Sequence, residues 1–80
     1  MADARLMVEE IAKGLVKQPD EVRVHQDVDG GTTVLELSVA EDDLGRVIGR
    51  QGRTARSIRS LLNALANKTR KRYQLEILEP

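Results

Sequence analysis

Two glycines three residues apart, Gly49 and Gly52, stand among five arginines, Arg46, Arg50, Arg53, Arg56 and Arg59, with no carboxylate between them. These residue types suit one kind of chemistry, the holding of a phosphate or a sugar-phosphate chain. Glycine lets a second backbone approach closely and admits positive φ. A helix that restarts after such a turn presents unpaired N–H groups and a partial positive charge. Arginine side chains beside it place mobile cations on the same anion that the fixed dipoles attract. Neither a metal ion nor a nucleophile is served by this set.

Other reactive constellations are absent from the sequence. His25 is the only histidine and there is no cysteine, so no metal-ligand spacing exists, and His25 is expected on the exposed side of a strand. Ser57 and Ser60 lie near arginines, but no His or Lys is spaced to act as their base. The acidic group Glu41-Asp42-Asp43 is explained by capping the start of a short helix, with no need of Mg²⁺. Gly45, Gly49 and Gly52 fit neither G-x-x-x-x-G-K-[ST] nor G-x-G-x-x-G. The expectation is a binding module that has no catalytic residue, no cofactor and no small-molecule substrate.

The elements that must position the glycine turn can be read from periodicity. From Asp3 to Lys17, apolar residues Ala4, Val8, Ile11, Ala12 and Leu15 recur at helical spacing, with Asp3 as cap and Pro19 as stop. Val22, Val24 and Val28 alternate with polar residues over 21–28, a strand. Asp29-Gly30-Gly31 is a turn signal, and Thr33, Leu35, Leu37 and Val39 form the return strand of a hairpin. Leu44, Val47 and Ile48 are the buried side of a short helix that the glycine turn interrupts. From Arg53 to about Lys68, Ala55, Ile58, Leu61, Leu62 and Leu65 gather on one helix face, opposite Arg56, Arg59, Ser60, Asn63 and Asn67. Residues 68–72 make a basic connection to a third strand carrying Tyr73, Leu75 and Ile77. The order α-β-β-α-α-β predicts an α+β fold: a three-stranded sheet with helices packed on one face, all within a single domain spanning 1–80.

Composition sharpens the reading. The chain has 80 residues with 13 basic and 13 acidic side chains, so its formal net charge is zero. Residues 1–45 nevertheless carry a balance of −7, while residues 46–72 hold nine cations and no acid. An ordinary solvated helix mixes signs, so this partition points to an anionic partner more than the total does. Tyr73 is the only aromatic and is expected at the core edge, which excludes modules that stack bases on exposed rings. No apolar run approaches the roughly 20 residues needed to span a bilayer, and no signal-peptide core follows Met1. With no cysteine, the expected setting is reducing and cytoplasmic, away from membranes.

A bare G-x-x-G is a weak signal, since a helix–helix turn needs such glycines too. Its surroundings carry more. Val47-Ile48-Gly49-Arg50-Gln51-Gly52, with Ile58 beyond, resembles the KH signature V-I-G-x-x-G-x-x-I-x-x-I, and the element order resembles the type II KH arrangement. Pro19-Asp20-Glu21-Val22 and the Ile58-Arg59 pair also look like the small stand-alone bacterial KH proteins, the KhpA family. Ala55 stands where the signature has isoleucine, which makes the apolar wall shallower there.

The resemblance implies binding of single-stranded RNA, with roughly four nucleotides in a groove. One wall would comprise Arg46, Val47, Ile48, the loop 49–52 (Gly49, Arg50, Gln51, Gly52), Arg53, Ala55, Arg56 and Arg59, and a strand would form the other. It also implies a role in post-transcriptional regulation or as an RNA chaperone, self-association as a homodimer, and pairing with KhpB, a larger KH-containing protein. Leu6, Val34 and Leu78 fall off the buried faces and are candidates for such protein contacts. Two other classes stay open. A protein-interaction adaptor would use the basic face on an acidic surface. A helix-hairpin-helix module would grip duplex DNA, although its glycines are normally spaced G-x-G.

Overall fold

Asp3 accepts the Leu6 N–H through Oδ1 at 3.1 Å, and this cap starts helix α1 (Ala4–Leu15). The computed structural model describes residues 3–79. The helix ends at Leu15, two residues before the expected Lys17, because the chain turns extended at Val16 ahead of Pro19. Pro19 then opens a 3-10 turn, Pro19–Glu21. The hairpin follows as β1 (Arg23–Asp29) and β2 (Thr32–Ser38). Gly30 and Gly31 both have positive φ, at 58° and 86°, which a two-residue hairpin loop matched to the strand twist requires.

Strands β1 and β2 pair antiparallel, with Val24 opposite Leu37 and His25 opposite Glu36. The last strand, β3 (Arg72–Ile77), lies parallel to β2, so β2 is central in the order β1-β2-β3. A parallel neighbour cannot be reached by a tight turn. Helices α2 (Leu44–Ile48) and α3 (Arg53–Thr69) supply the crossover, and the glycine turn lies inside it.

The core is a sandwich of one sheet face against three helices. Val8 and Ala12 of α1, Leu35 and Leu37 of β2, Val47 of α2, Ile58 and Leu62 of α3 and Leu75 of β3 are all buried in it. Each buried Leu or Ile contributes about 1.5–3 kcal/mol relative to exposure. The opposite sheet face carries Arg23, His25, Asp27, Glu36, Gln74 and Glu76, and among the described residues no helix covers it. His25 is exposed and Tyr73 sits half-buried at the core margin, as expected.

Three apolar residues leave the pattern. Leu61 is 51% exposed, because a pitch of 3.6 residues turns it about 100° away from Leu62, off the edge of the buried arc. Val28 shares the inward parity of Val24 yet is 64% exposed, since the hairpin tip overhangs the helices. Leu15, at the last turn of α1, is also exposed. On the outer flank of α1, hydrogen bonds from Lys13 and Arg5 hold the Glu9 carboxyl below the usual carboxylate range. The stability this adds is present above the unfolded pKa and is lost as pH falls through the lowered folded value.

The acidic group behaves differently from a simple cap. Glu41–Asp43 form a 3-10 turn, and Asp43 makes no side-chain cap bond to α2. Its carboxylate is instead buried and reaches across to the segment after α1. There Oδ1 accepts the Lys17 N–H at 3.1 Å and Oδ2 accepts the Gln18 N–H at 3.0 Å. Arg46 Nε completes the set, 3.4 Å from Oδ1. Replacing Asp43 by Ala strands two backbone donors and should cost about 3 kcal/mol. Asp42→Ala, at an exposed neighbour, should stay within about 0.5 kcal/mol. Urea denaturation measures both, and equal effects would refute the role given to Asp43.

Candidate nucleic-acid interface

Helix α2 ends because Gly49 adopts φ 77° and ψ 170°, a backbone region essentially closed to residues with a Cβ. Its N–H still closes α2 by donating to the Gly45 carbonyl at 2.9 Å. The chain then makes one tight turn, Arg50–Gly52, in which Gln51 (φ 56°) and Gly52 (φ 73°) are both left-handed. The Gly52 N–H donates to the Gly49 carbonyl at 3.1 Å, which locks the turn. Gly52 is the N-cap of α3 and has no side chain with which to cap it. The start of a 17-residue helix therefore opens onto the loop surface without an internal side-chain acceptor.

The two glycines are needed for different reasons. A Cβ on Gly49 would overlap the Thr54 hydroxyl and lie 2.7 Å from Thr54 Cβ and 2.8 Å from its backbone N. The loop thus folds directly against the first turn of α3. A Cβ on Gly52 would meet nothing within 4 Å, so only its left-handed backbone favours glycine.

Around this turn the arginines divide into braced and projecting groups. Arg46 is held by Asp43, Arg56 Nη2 donates to the Gln51 carbonyl at 3.3 Å, and Arg59 Nη2 donates to the Leu75 carbonyl at 3.3 Å. Arg50 and Arg53 are exposed, and among the described residues they form no ion pair. Gln51 is exposed at the tip between them. Two expected wall residues are not on the surface. Val47 is 0% exposed within the core and Ala55 is 4% exposed, so both support the site from beneath. Ile48 is half-buried against the core and Gly49 and Gly52 are partly accessible.

Beyond the loop a furrow runs between α3 and the free edge of β3. Near the middle of α3 it is a notch of about 180 Å³ lined by Arg59, Leu62, Asn63, Tyr73, Gln74 and Leu75. It continues past Asn67 to Lys71 and Arg72, and no carboxylate lines either stretch. The concavities beside α1 differ, since Glu9 and Asp20 line one and Asp3 the other. Asn63, Tyr73, Gln74 and Thr54 were not among the site residues expected from sequence. Asn63 could have been found as the next step on the helix face of Arg56 and Arg59, whereas Thr54 has no local signal.

A helix, a hairpin, then two helices joined by a glycine turn and a strand returning parallel to the sheet centre define a type II KH domain. Solved structures agree on the fold. The crystal structure of a singly substituted Era from Aquifex aeolicus bound to GDP and aluminium fluoride superposes with a TM-score of 0.62 at 20% identity, over 95% of this chain and 29% of that one. Era in complex with a nucleotide analogue and a segment of 16S ribosomal RNA gives 0.62 at 21% identity, over 92% of this chain and 28% of that one. Sequence comparison is more specific. Residues 5–77 match the family described as KhpA/KhpB, KH domain, and the chain belongs to that family. RNA-binding protein KhpA of Halalkalibacterium halodurans is 48% identical over 94% of this chain and 99% of its own length. The KhpA proteins of Borreliella burgdorferi (49%, over 91% of this chain and 89% of that one) and Aquifex aeolicus (47%, over 99% and 100%) are similar to the same degree. These relatives are named for binding RNA and not for a reaction.

The geometry separates the glycines experimentally. Gly49→Ala should destabilise the fold by more than about 3 kcal/mol, since steric overlap adds to backbone strain. Gly52→Asn should cost less than about 1 kcal/mol, because asparagine tolerates the left-handed region. Denaturation midpoints of the two variants give the comparison, and a Gly52 variant as unstable as the Gly49 variant would contradict it.

Proposed function

We propose that this protein binds short single-stranded RNA segments, about four nucleotides at a time, through the Gly49–Gly52 loop and the adjoining face of α3. The single observation that carries the reading is the loop itself. Gly49 lies flush on α3, the helix start is left without a side-chain cap, and Arg50 and Arg53 project beside it. Backbone phosphates suit that combination of exposed helix terminus and cations. Arg56 stands beside the loop and Arg59 carries the positive surface into the furrow. The RNA-binding names of the relatives support the same reading.

Specificity in this scheme is modest. Exposed aromatics are missing, so affinity rests on phosphate contacts and a shallow aliphatic surface in place of stacking. The protein then acts in the cytoplasm as a post-transcriptional regulator or RNA chaperone. Its single groove gains from avidity when it self-associates or pairs with a KhpB-type partner. Exposed Leu6 (44%) and Leu78 (46%) favour a second reading in which the chain also serves as an adaptor for such a partner. Val34, the third residue expected to make that contact, is only partly accessible. The duplex-DNA alternative has less support, because the loop has G-x-x-G spacing.

The experiment is Arg50→Asp combined with Gln51→Asp. Gln51 is already left-handed, a conformation aspartate accepts, so circular dichroism should be unchanged while RNA affinity is lost. A folded double variant with wild-type affinity in filter binding would sink the proposal. For the wild type, each phosphate contact should add a slope of about 0.7 to the log–log fall of affinity with salt. A flat salt dependence would favour the adaptor, and a preference for duplex DNA in direct competition would favour the helix-hairpin-helix reading.

A further inference from the structure

Strand β1 is the other edge of the sheet, and among the described residues no strand pairs with its outer side. Asp29 and Thr32 flank a two-residue loop, so they exchange both backbone hydrogen bonds, and the antiparallel alternation runs back from them along β1. Arg23, His25, Asp27 and Asp29 therefore turn their backbone groups to β2, while Val24, Gln26 and Val28 turn theirs to the open edge. One of these open groups is covered by a side chain, since the Val28 N–H donates to Asp27 Oδ1 at 2.9 Å. An edge of this length is a template for another strand.

The edge is its own complement. Antiparallel pairing of two copies about a two-fold axis at Gln26 sets Val24 against Val28 of the second copy and Gln26 against Gln26. All three residues with open backbone groups then meet one another, and no other antiparallel register matches all three. On the outer sheet face the same register sets Arg23 against Asp29 and His25 against Asp27, each twice. Opposite charges directly across a strand pair stabilise it, and like charges destabilise it. A slip of the second copy by two residues sets His25 against itself in one direction and Asp27 against itself in the other. Helix α1 leaves room for this pairing. Its Arg5, Glu9 and Lys13 flank a groove beside residues 22–25, and its start comes level with Gln26. The two α1 helices would thus lie over opposite halves of the shared ladder. Val28, now 64% exposed beyond the end of α1, would lie beside Val24 of the second copy, under that copy's helix.

We propose that two copies of this chain join β1 to β1, forming one six-stranded sheet in the order β3-β2-β1-β1-β2-β3. The Val28 N–H passes from Asp27 to the Val24 carbonyl of the second copy, which frees the Asp27 carboxylate for His25 across the seam. Arg23 Nη1 stays on the Asp20 and Val22 carbonyls at 2.7 and 2.9 Å, and its other nitrogens serve Asp29 of the second copy. Such an interface is isologous and closes at two copies, because both open β1 edges are consumed. The glycine loops and the furrows beside β3 remain uncovered at the far edges. Five strand spacings separate the two β3 strands, about 24 Å. The pairing supplies a surface for the self-association in the reading above, yet it rests on the strand edge and not on RNA binding.

The test is sedimentation equilibrium on the full chain, without RNA and at low salt. The wild type should show a concentration-dependent equilibrium between one copy and two. Arg23→Asp alone sets Asp against Asp29, and Asp29→Arg alone sets Arg against Arg23, so each should weaken the dimer roughly tenfold or more. An equimolar mixture of these two variants should regain it, because every pair across the seam then has opposite signs. Recovery on mixing also shows that neither variant failed by unfolding. The sequence has no cysteine, so Gln26→Cys should cross-link to itself under mild oxidation. A hydrogen-bonded pair holds its Cα atoms about 5.5 Å apart, within disulfide reach. Gln74→Cys, exposed on the other edge strand, should not cross-link. A wild type that stays single at its highest soluble concentration overturns the pairing. So does a mixture no better than either variant, or a dimer that survives both reversals and is lost in Leu61→Asp on α3. None of these readouts involves RNA, so failure here and failure of the RNA reading are separate results.

Discussion

The Asp43 carboxylate is the joint on which the arrangement of the site depends. A buried carboxylate is costly unless its lone pairs are met, and here they are met by the Lys17 and Gln18 N–H groups and by Arg46. Two of these donors come from the segment after α1, and the carboxylate from the 3-10 turn that leads into α2. One side chain therefore fixes the segment after α1 against the turn that leads into α2. Without this tie the segment before Pro19 would hold two donors facing the interior, and the five-residue α2 would be anchored by its apolar contacts alone.

Downstream of that joint, steric closeness replaces hydrogen bonding as the governing constraint. Gly49 rests on Thr54 with no room for a methyl group, which turns the chain through the loop and delivers α3 at a fixed angle. The Gln51 carbonyl is braced by Arg56, and the Leu75 carbonyl by Arg59. Three of the five arginines are thus partly structural, and the projecting cations sit at the loop tip and first helical turn. Charge placement follows: the acids cluster away from the furrow, so a molecule with no net charge still presents a continuous cationic and neutral-polar surface.

Much of this was legible in the residues. The order α-β-β-α-α-β, the Asp3 cap, the hairpin glycines and the interruption at 49–52 follow from periodicity and turn chemistry, which act over a few residues. The helix boundaries moved by one or two positions, as they do when the end is decided by a cap. Leu61 and Val28 were misplaced because a helix face or strand parity says which way a side chain points, not whether another element covers it. Val47 and Ala55 illustrate the converse. They sit beside the glycine turn in sequence, but both are turned inward to support it. Asp43 was assigned to the nearest helix end, since its real partners lie 25 and 26 residues away along the chain.

By itself the sequence determined the local conformations, the family resemblance and the segregation of charge, because each depends on residue types within a turn or two. Tertiary structure alone decided which carboxylate is buried, why Gly49 tolerates no side chain and Gly52 is merely left-handed, and which arginines are braced. It also decided that β3 is an edge strand whose Leu75 carbonyl meets Arg59, across 16 residues of chain. Such features are set by the docking of α3 on the sheet. They depend on distances between atoms remote in sequence, which no periodicity encodes.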